Sequence, residues 1–119
     1  MFVNLSNHPV SGWMREQIEA AREFGDIVDL PFPEVSPFAD SEEIDRIVED
    51  YYERVLAFGE PTVMLMGEQV VTYRLVNRLK DAGLRVVASC SERRAEEEKQ
   101  PDGTIKKLSV FRFVRFREY

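Results

Sequence analysis

The chain has 119 residues, of which 44% are hydrophobic, and a formal net charge of −6. This length and composition predict one domain, residues 1–119, with its own hydrophobic core. The acidic balance argues against a protein that binds extended nucleic acid through a broad basic surface, but it is compatible with a small anionic ligand.

The chain has no sequence feature that points to a membrane or to export. The longest apolar runs, such as residues 62–66, are much shorter than the roughly 20 residues that cross a bilayer. Residues 1–4 lack the basic and long apolar regions of a signal peptide. The single cysteine, Cys90, cannot form an internal disulfide, which is typical of a reducing compartment. We therefore expect a cytoplasmic protein with no membrane partner.

Strands and helices are predicted to alternate from the first residues onward. Residues 2–5 predict a short strand, and a helix that begins at Ser11 and ends at Gly25 follows it. Residues 27–30 predict the second strand, which ends at the prolines of residues 31–33.

The middle of the chain continues this alternation. Asp40 is placed to cap the second helix, with Glu43 three residues later to complete a capping box. Residues 62–66 form an uninterrupted apolar run, typical of a central parallel strand that is buried on both faces. A third helix is predicted to start at Gly67 and to end at Gly83.

The last third of the chain predicts a fourth strand at residues 85–89 and an antiparallel return strand at residues 108–114, joined through a turn at residues 101–104. The fold class is therefore α/β: a small doubly wound, mainly parallel, Rossmann-like sheet with a C-terminal antiparallel hairpin. The expected strand order is 2-1-3-4-5, in which the winding reverses between strands one and three.

Three polar clusters follow the predicted strands, at residues 6–9, 67–69 and 89–94. In an open α/β sheet the ligand binds beyond the carboxyl ends of the strands, at the point where the winding reverses. We therefore expect the three clusters to converge on one crevice.

The first cluster contains His8, the only histidine, whose unperturbed pKa lies near neutrality. It is a candidate general acid or base, although a histidine before Pro9 also suits a hydrogen-bonded loop. Ser6 and Asn7 suit base edges, ribose or phosphate, and the same residue types also satisfy turns.

The second cluster begins with Gly67, which permits close approach of a ligand to the backbone at the start of a helix. Glu68 disfavours a phosphate there and is better placed to cap the helix, with hydrogen bonds from a ribose or an adenine amine as the alternative. Gln69 is the neutral candidate for reading a base.

The third cluster contributes Ser89, Ser91 and Arg93, the last as a candidate phosphate partner. Its neighbours form a charge run that is also typical of a solvated hairpin surface. Cys90 is more typical of a buried, inert thiol than of a nucleophile. One His and one Cys predict no structural metal site, and no P-loop or dinucleotide motif indicates a cofactor.

The final strand alternates aromatic and basic residues. Phe111 and Phe113 are expected to share one face and Val110 and Val114 the other, so that both faces are covered. Such a phenylalanine-rich edge predicts a homodimer surface.

The stretch Phe2-Val3-Asn4-Leu5-Ser6-Asn7-His8-Pro9, the junction Met66-Gly67-Glu68-Gln69 and the order of elements resemble the small stand-alone CRISPR-associated Rossmann-like (CARF-like) proteins. The resemblance implies a homodimer in antiviral defence that binds a cyclic oligoadenylate across its two-fold axis. Some such proteins are ring nucleases, metal-independent phosphodiesterases in which a ribose 2′-hydroxyl attacks the neighbouring phosphate. Carried onto this chain, it implies a pocket of residues 6–8, 67–69, Ser89, Ser91 and Arg93. The acidic balance and the absence of lysine from the clusters depart from this pattern.

Two other classes stay open. One is an enzyme that acts on a nucleotide, nucleoside or sugar phosphate in the same crevice. The other is a non-catalytic interaction or regulatory subunit, in which the polar loops only end the strands and the sheet edge pairs with a partner.

Overall fold

A computed structural model describes residues 1–119. Five strands and three α-helices follow one another as β1 (Phe2–Leu5), α1 (Arg15–Arg22), β2 (Ile27–Asp29), α2 (Ser41–Leu56), β3 (Thr62–Leu65), α3 (Gln69–Asp81), β4 (Val86–Lys99) and β5 (Ile105–Glu118). A short 3-10 turn, Val10–Gly12, precedes α1. None of the helices combines the length and apolar character needed to cross a bilayer.

The strands form one mixed sheet in the order β2-β1-β3-β4-β5. β1 runs parallel to both β2 and β3, β3 runs parallel to β4, and β5 returns antiparallel to β4. The α/β class, the mainly parallel sheet, the antiparallel hairpin at the C-terminal end and the predicted strand order are therefore confirmed.

The core divides into two clusters because successive side chains of a strand point to opposite faces. Val3 and Leu5 of β1 belong to the larger cluster, which includes buried residues of α2 and α3. Phe2 belongs to the smaller cluster with Ala21 of α1, and Trp13 and other partly buried residues pack against it. Apolar contacts thus cover the central strands on both faces.

Two helix starts show what local pattern could and could not predict. The prediction that α1 begins at Ser11 is wrong, because Trp13 and Met14 both have extended backbone with ψ of 152° and the helix can begin only after them. The cap of α2 is confirmed, since Asp40 accepts a hydrogen bond of 2.9 Å from the backbone N–H of Glu43. The return bond of a capping box, from the Glu43 side chain, is not formed.

β4 and β5 are far longer than the sequence predicts, with 14 residues each. β3 pairs with β4 only at Val86 and Val87, so from Ser91 to Lys99 the only neighbouring strand of β4 is β5. We call the ribbon of residues 91–113 the hairpin arm. It lengthens the molecule to 56 × 37 × 21 Å. The sequence did not predict the full length of these strands, because a strand is recognised by its alternating apolar residues, and this charged ribbon is held by backbone hydrogen bonds without a buried apolar face.

A β-bulge joins the sheet to the hairpin arm. Cys90 pairs with Arg115 whereas Ser91 pairs with Phe113, so Val114 is an extra residue on β5. The bulge allows the rings of Phe113 and Phe116 to meet, with centroids 4.9 Å apart. The register confirms that Phe111 and Phe113 share a face, but the expected covering of both faces is wrong: Phe111 is 63% exposed and Val114 56% exposed.

Candidate functional site

A cavity of about 740 Å³ opens beyond the carboxyl ends of β1 and β3 and beside residues 89–91 of β4, which continues past it to Lys99. We call it the site cavity. All three predicted clusters contribute to its lining, through Ser6, Asn7, His8, Gly67, Ser89 and Ser91. The structure therefore brings six of the predicted site residues to one place, whereas Glu68, Gln69 and Arg93 do not line this cavity.

The rest of the lining comes from the segments predicted as the first helix, the central strand and the final strand. The connection into α1 and the hairpin arm close two sides, with Gly12, Trp13, Met14, Gln17, Phe111 and Phe113. Met64 and Met66 complete the lining. One feature of the sequence could have indicated the lining residues between β1 and α1: this connection follows His8 directly, so it must leave from the same edge of the sheet.

The loop after β1 is held by a buried hydrogen-bond network around Asn4. The Asn4 side-chain amide donates to the backbone carbonyl of His8 at 2.8 Å and to Asp29 Oδ1 at 2.9 Å. The hydroxyl of Ser6 donates to Asn4 Oδ1 at 2.7 Å. Asn4 and Ser6 are only 1% and 5% exposed. Ser6 therefore stabilises the turn, which is the second of the two roles that its sequence position suggested. Asn4 and Asp29 hold the same loop in place, and the sequence did not indicate this role for either residue.

His8 is fixed through its backbone and exposed through its side chain. Its carbonyl also accepts a hydrogen bond of 2.9 Å from the indole N–H of Trp13, and its backbone N–H donates to Ser6 Oγ at 3.2 Å. The imidazole lines the site cavity from an exposed position. This arrangement places an exposed imidazole at the cavity on a restrained backbone.

Glu68 caps α3, as its position predicts. Its two carboxylate oxygens accept hydrogen bonds from the backbone N–H groups of Val70 at 3.0 Å and Val71 at 2.8 Å. These amides belong to the first turn of the helix, so the chain's own carboxylate takes the place that an anion would need.

Gly67 is required by packing inside the protein. A β-carbon on Gly67 would overlap the ring of Phe32, whose Cε2, Cδ2 and Cγ atoms fill that space. The space that a β-carbon would occupy is therefore taken by Phe32, and the approach of a ligand to the backbone of Gly67 stays a prediction.

Gln69 lines a second cavity of about 480 Å³ between α3 and Tyr119. Met66 and Gly67 line both cavities, so the two adjoin at the end of β3. Arg93 lies on the hairpin arm, two residues beyond Ser91, where its guanidinium donates to Ser109 Oγ at 3.0 Å.

The comparison with family models covers almost the whole chain, with a match over residues 1–117. The chain belongs to the uncharacterized protein MJ1673 family. The chain matches no curated protein sequence.

In this member of the MJ1673 family the site cavity is lined by uncharged side chains and one histidine. It is lined by no Asp, Glu, Lys or Arg, and His8 is its one histidine. No group of three or more His, Cys, Asp or Glu side chains is arranged to hold a metal ion. The site therefore offers hydroxyls, two side-chain amides, an imidazole and aromatic rings to a ligand.

Cys90 and Tyr119 lie near this edge of the sheet but outside the site cavity. Cys90 is partly buried, not fully buried as predicted. The Tyr119 hydroxyl donates to the carbonyl of Leu65 at 2.7 Å, at the end of β3. Burial raises the pKa of Tyr119 above its ordinary value, and the neighbouring Cys90 raises it further.

Proposed function

We propose that this chain is a Rossmann-like, doubly wound domain that binds a small adenine nucleotide in the site cavity, and that the nucleotide is a cyclic oligoadenylate, as in CARF-like proteins. One observation carries the proposal: Asn7 and His8 from the loop after β1, Gly67 from the end of β3 and the serines at positions 89 and 91 of β4 line the same cavity. In open α/β sheets this edge is where nucleotides bind.

The lining suits a nucleoside. A volume of about 740 Å³ lies within the range of roughly 300 to 1,000 Å³ typical of small-molecule sites. The rings of Trp13 and Phe113 offer surfaces on which a base can stack. The Asn7 amide offers both a donor and an acceptor to a base edge, and the hydroxyls of Ser89 and Ser91 suit ribose.

The phosphates would lie at the rim of the site cavity, because no cationic side chain lines its interior. Arg93 is on the same face of β4 as Ser91, two residues further along the hairpin arm. A guanidinium there can form bidentate hydrogen bonds with a phosphate that leaves the cavity. Its present partner, Ser109, is a neutral hydroxyl that such a phosphate can replace.

His8 is the proposed catalytic residue of a metal-independent ring nuclease. As general base it would take the proton of a ribose 2′-hydroxyl, whose oxygen then attacks the adjacent phosphorus. The bond from phosphorus to the 5′-oxygen breaks, a proton is delivered to that oxygen, and a 2′,3′-cyclic phosphate remains. The exposed imidazole on a restrained backbone suits this role.

Calorimetry with linear and cyclic adenylates, in buffer that contains a chelator, tests the proposal. Asn7→Ala and Arg93→Ala are expected to weaken binding at least about tenfold. Arg46→Ala is the matched control, because Arg46 is an exposed arginine of α2 that does not line the site cavity and forms no ion pair within the chain. His8→Ala is expected to slow cleavage much more than it weakens binding. Folded protein that binds none of these adenylates would overturn the proposal.

The hairpin arm favours a second candidate function, a non-catalytic interaction or regulatory subunit. Residues 91–99 pair only with residues 105–113. A two-stranded ribbon is marginally stable on its own, so an arm of this length is typical of a segment with a partner. The homodimer expected from the sequence belongs to this proposal as well.

A further inference from the structure

The hairpin arm has one strand edge with unused backbone hydrogen-bonding groups on the β4 side. β3 accompanies β4 only as far as Val87. Beyond the bulge, residues 91–99 have β5 on one side and no strand on the other. A regular edge of this kind is a template for pairing with another strand.

The charges along this edge are self-complementary. The sequence Arg93-Arg94-Ala95-Glu96-Glu97 has two positive residues before the alanine and two negative residues after it. If two copies pair antiparallel with Ala95 opposite Ala95, each arginine lies opposite a glutamate of the other copy. Residues 93 and 97 lie four positions apart along the strand, and residues 94 and 96 lie two apart. Both separations are even, so the two side chains of each opposed pair project from the same face of the resulting four-stranded sheet.

The structure leaves these charges available. Arg93 and Glu97, which would oppose each other on one face, form no salt bridge within the chain. On the other face Arg94 and Glu96 each make one exposed ion pair, with Glu92 at 3.0 Å and with Arg112 at 3.2 Å. Exposed pairs such as these contribute little to stability and can be shared with a second partner.

The same register also places like charges together near its ends, where Glu92 lies opposite Glu98 and the two carboxylates repel each other. For each two-fold dimer, four opposite-charge contacts therefore stand against two like-charge contacts. The β5 edge has no comparable pattern, because Lys106, Lys107, Arg112, Arg115 and Arg117 accompany a single acidic residue, Glu118. Two-fold pairing of β5 with itself would gather positive charge, so the β4 edge is the better self-complementary surface.

We propose that the hairpin arm docks a second copy of this chain through antiparallel pairing of the two β4 edges, centred on Ala95. The product is a four-stranded sheet in the order β5-β4-β4-β5 around a two-fold axis, as closed homodimers require. It replaces two marginal ribbons by a sheet large enough to be stable. The proposal concerns the arm alone and does not depend on a ligand in the site cavity.

Cysteine cross-linking of the full chain tests the register. In a Cys90→Ser background, Ala95→Cys is expected to give a disulfide-linked dimer under mild oxidation, since directly opposed residues of antiparallel strands have Cα atoms about 4.5 to 5.5 Å apart. Ser109→Cys is the matched control, because Ser109 pairs with Ala95 across the hairpin. In the proposed sheet the two Ser109 residues are three strand spacings, about 14 Å, apart and cannot be linked. Cross-linking at Ser109 but not at Ala95 would overturn the proposal.

Charge reversal, followed by analytical ultracentrifugation, tests the pairing without a new bond. Arg93→Glu or Glu97→Arg alone places like charges opposite each other twice per dimer, and each is expected to raise the dimer dissociation constant roughly tenfold or more. The double variant Arg93→Glu/Glu97→Arg restores opposite charges and is expected to recover the dimer. A wild-type chain that stays monomeric, or a double variant no better than the singles, would overturn the proposal.

Discussion

The aromatic ring of Phe32 lies directly over Gly67, in the space that a side chain at residue 67 would fill. Phe32 follows β2 and is 7% exposed, and Gly67 lies between β3 and α3. The contact joins the loops after two non-adjacent strands of the sheet. It forms part of the support beneath the site cavity, because Gly67 also lines that cavity.

Gly67→Ala is therefore expected to lower the free energy of unfolding by about 1 to 3 kcal/mol, because the added methyl group forces Phe32 from its position. Gly12→Ala is the matched control. Gly12 lines the same cavity, but a β-carbon there meets no atom within 4 Å. Urea denaturation measures both variants, and equal stability of the two would contradict the packing role of Gly67.

Asn4 organises the loop that carries His8, so Asn4→Ala is expected to cost about 1 to 3 kcal/mol of stability. The reason is that Ser6, Asp29 and the carbonyl of His8 each lose a hydrogen-bond partner in a mostly buried setting. Asn77→Ala is the control, since the Asn77 amide is exposed and donates to Tyr73 within its own helix. Thermal unfolding measures the stability of both variants. If Asn4→Ala loses no more stability than Asn77→Ala, the hydrogen bonds of Asn4 do not stabilise the loop.

Glu68→Ala is expected to destabilise the protein by about 1 kcal/mol through loss of the cap on α3, and to leave nucleotide affinity unchanged. Glu43→Ala provides the comparison, because Glu43 also lies in a first helical turn but its side chain makes no cap. Stability is measured by chemical denaturation and affinity by calorimetry. Weaker binding with unchanged stability would instead assign Glu68 to the ligand.

Because the pKa of Tyr119 is raised in the folded chain, the free energy of unfolding is expected to decrease at alkaline pH. Its pKa is raised above the ordinary value of 10.0, mainly by burial. The folded chain therefore holds a proton that the unfolded chain releases first. The stabilisation by the hydrogen bond to Leu65 is present below about pH 10 and decreases as the pH rises through the folded pKa.

The variant Tyr119→Phe isolates this contribution. At neutral pH it is expected to be about 0.5 to 1.5 kcal/mol less stable than the natural chain. That difference should narrow above about pH 10, where the natural chain loses its hydrogen bond. Tyr73→Phe is the control because Tyr73 is 72% exposed. Denaturation series at several pH values measure both, and a gap independent of pH would contradict the assignment.

Much of the sheet was predictable because apolar runs and the glycines and prolines between them are local signals. The predicted bounds of β1 agree with the structure, and those of β2 and β3 differ by one residue at their ends. Right-handed crossovers then restrict the order of the parallel strands. From that order the three clusters were expected to meet. Ser6, Asn7, His8, Gly67, Ser89 and Ser91 do line one cavity, whereas Glu68, Gln69 and Arg93 do not, and the third cluster lies within β4 instead of after it.

The sequence by itself thus determined the order of elements and the edge of the sheet where polar residues collect. Only the tertiary structure decided how that edge is built. The bond from Asn4 to Asp29 joins residues 25 positions apart, and the contact between Phe32 and Gly67 joins residues on different strands' loops. Neither leaves a periodic signal. The length of the hairpin arm was likewise decided in three dimensions, because its strands are held by their shared hydrogen-bond ladder and not by a buried apolar face.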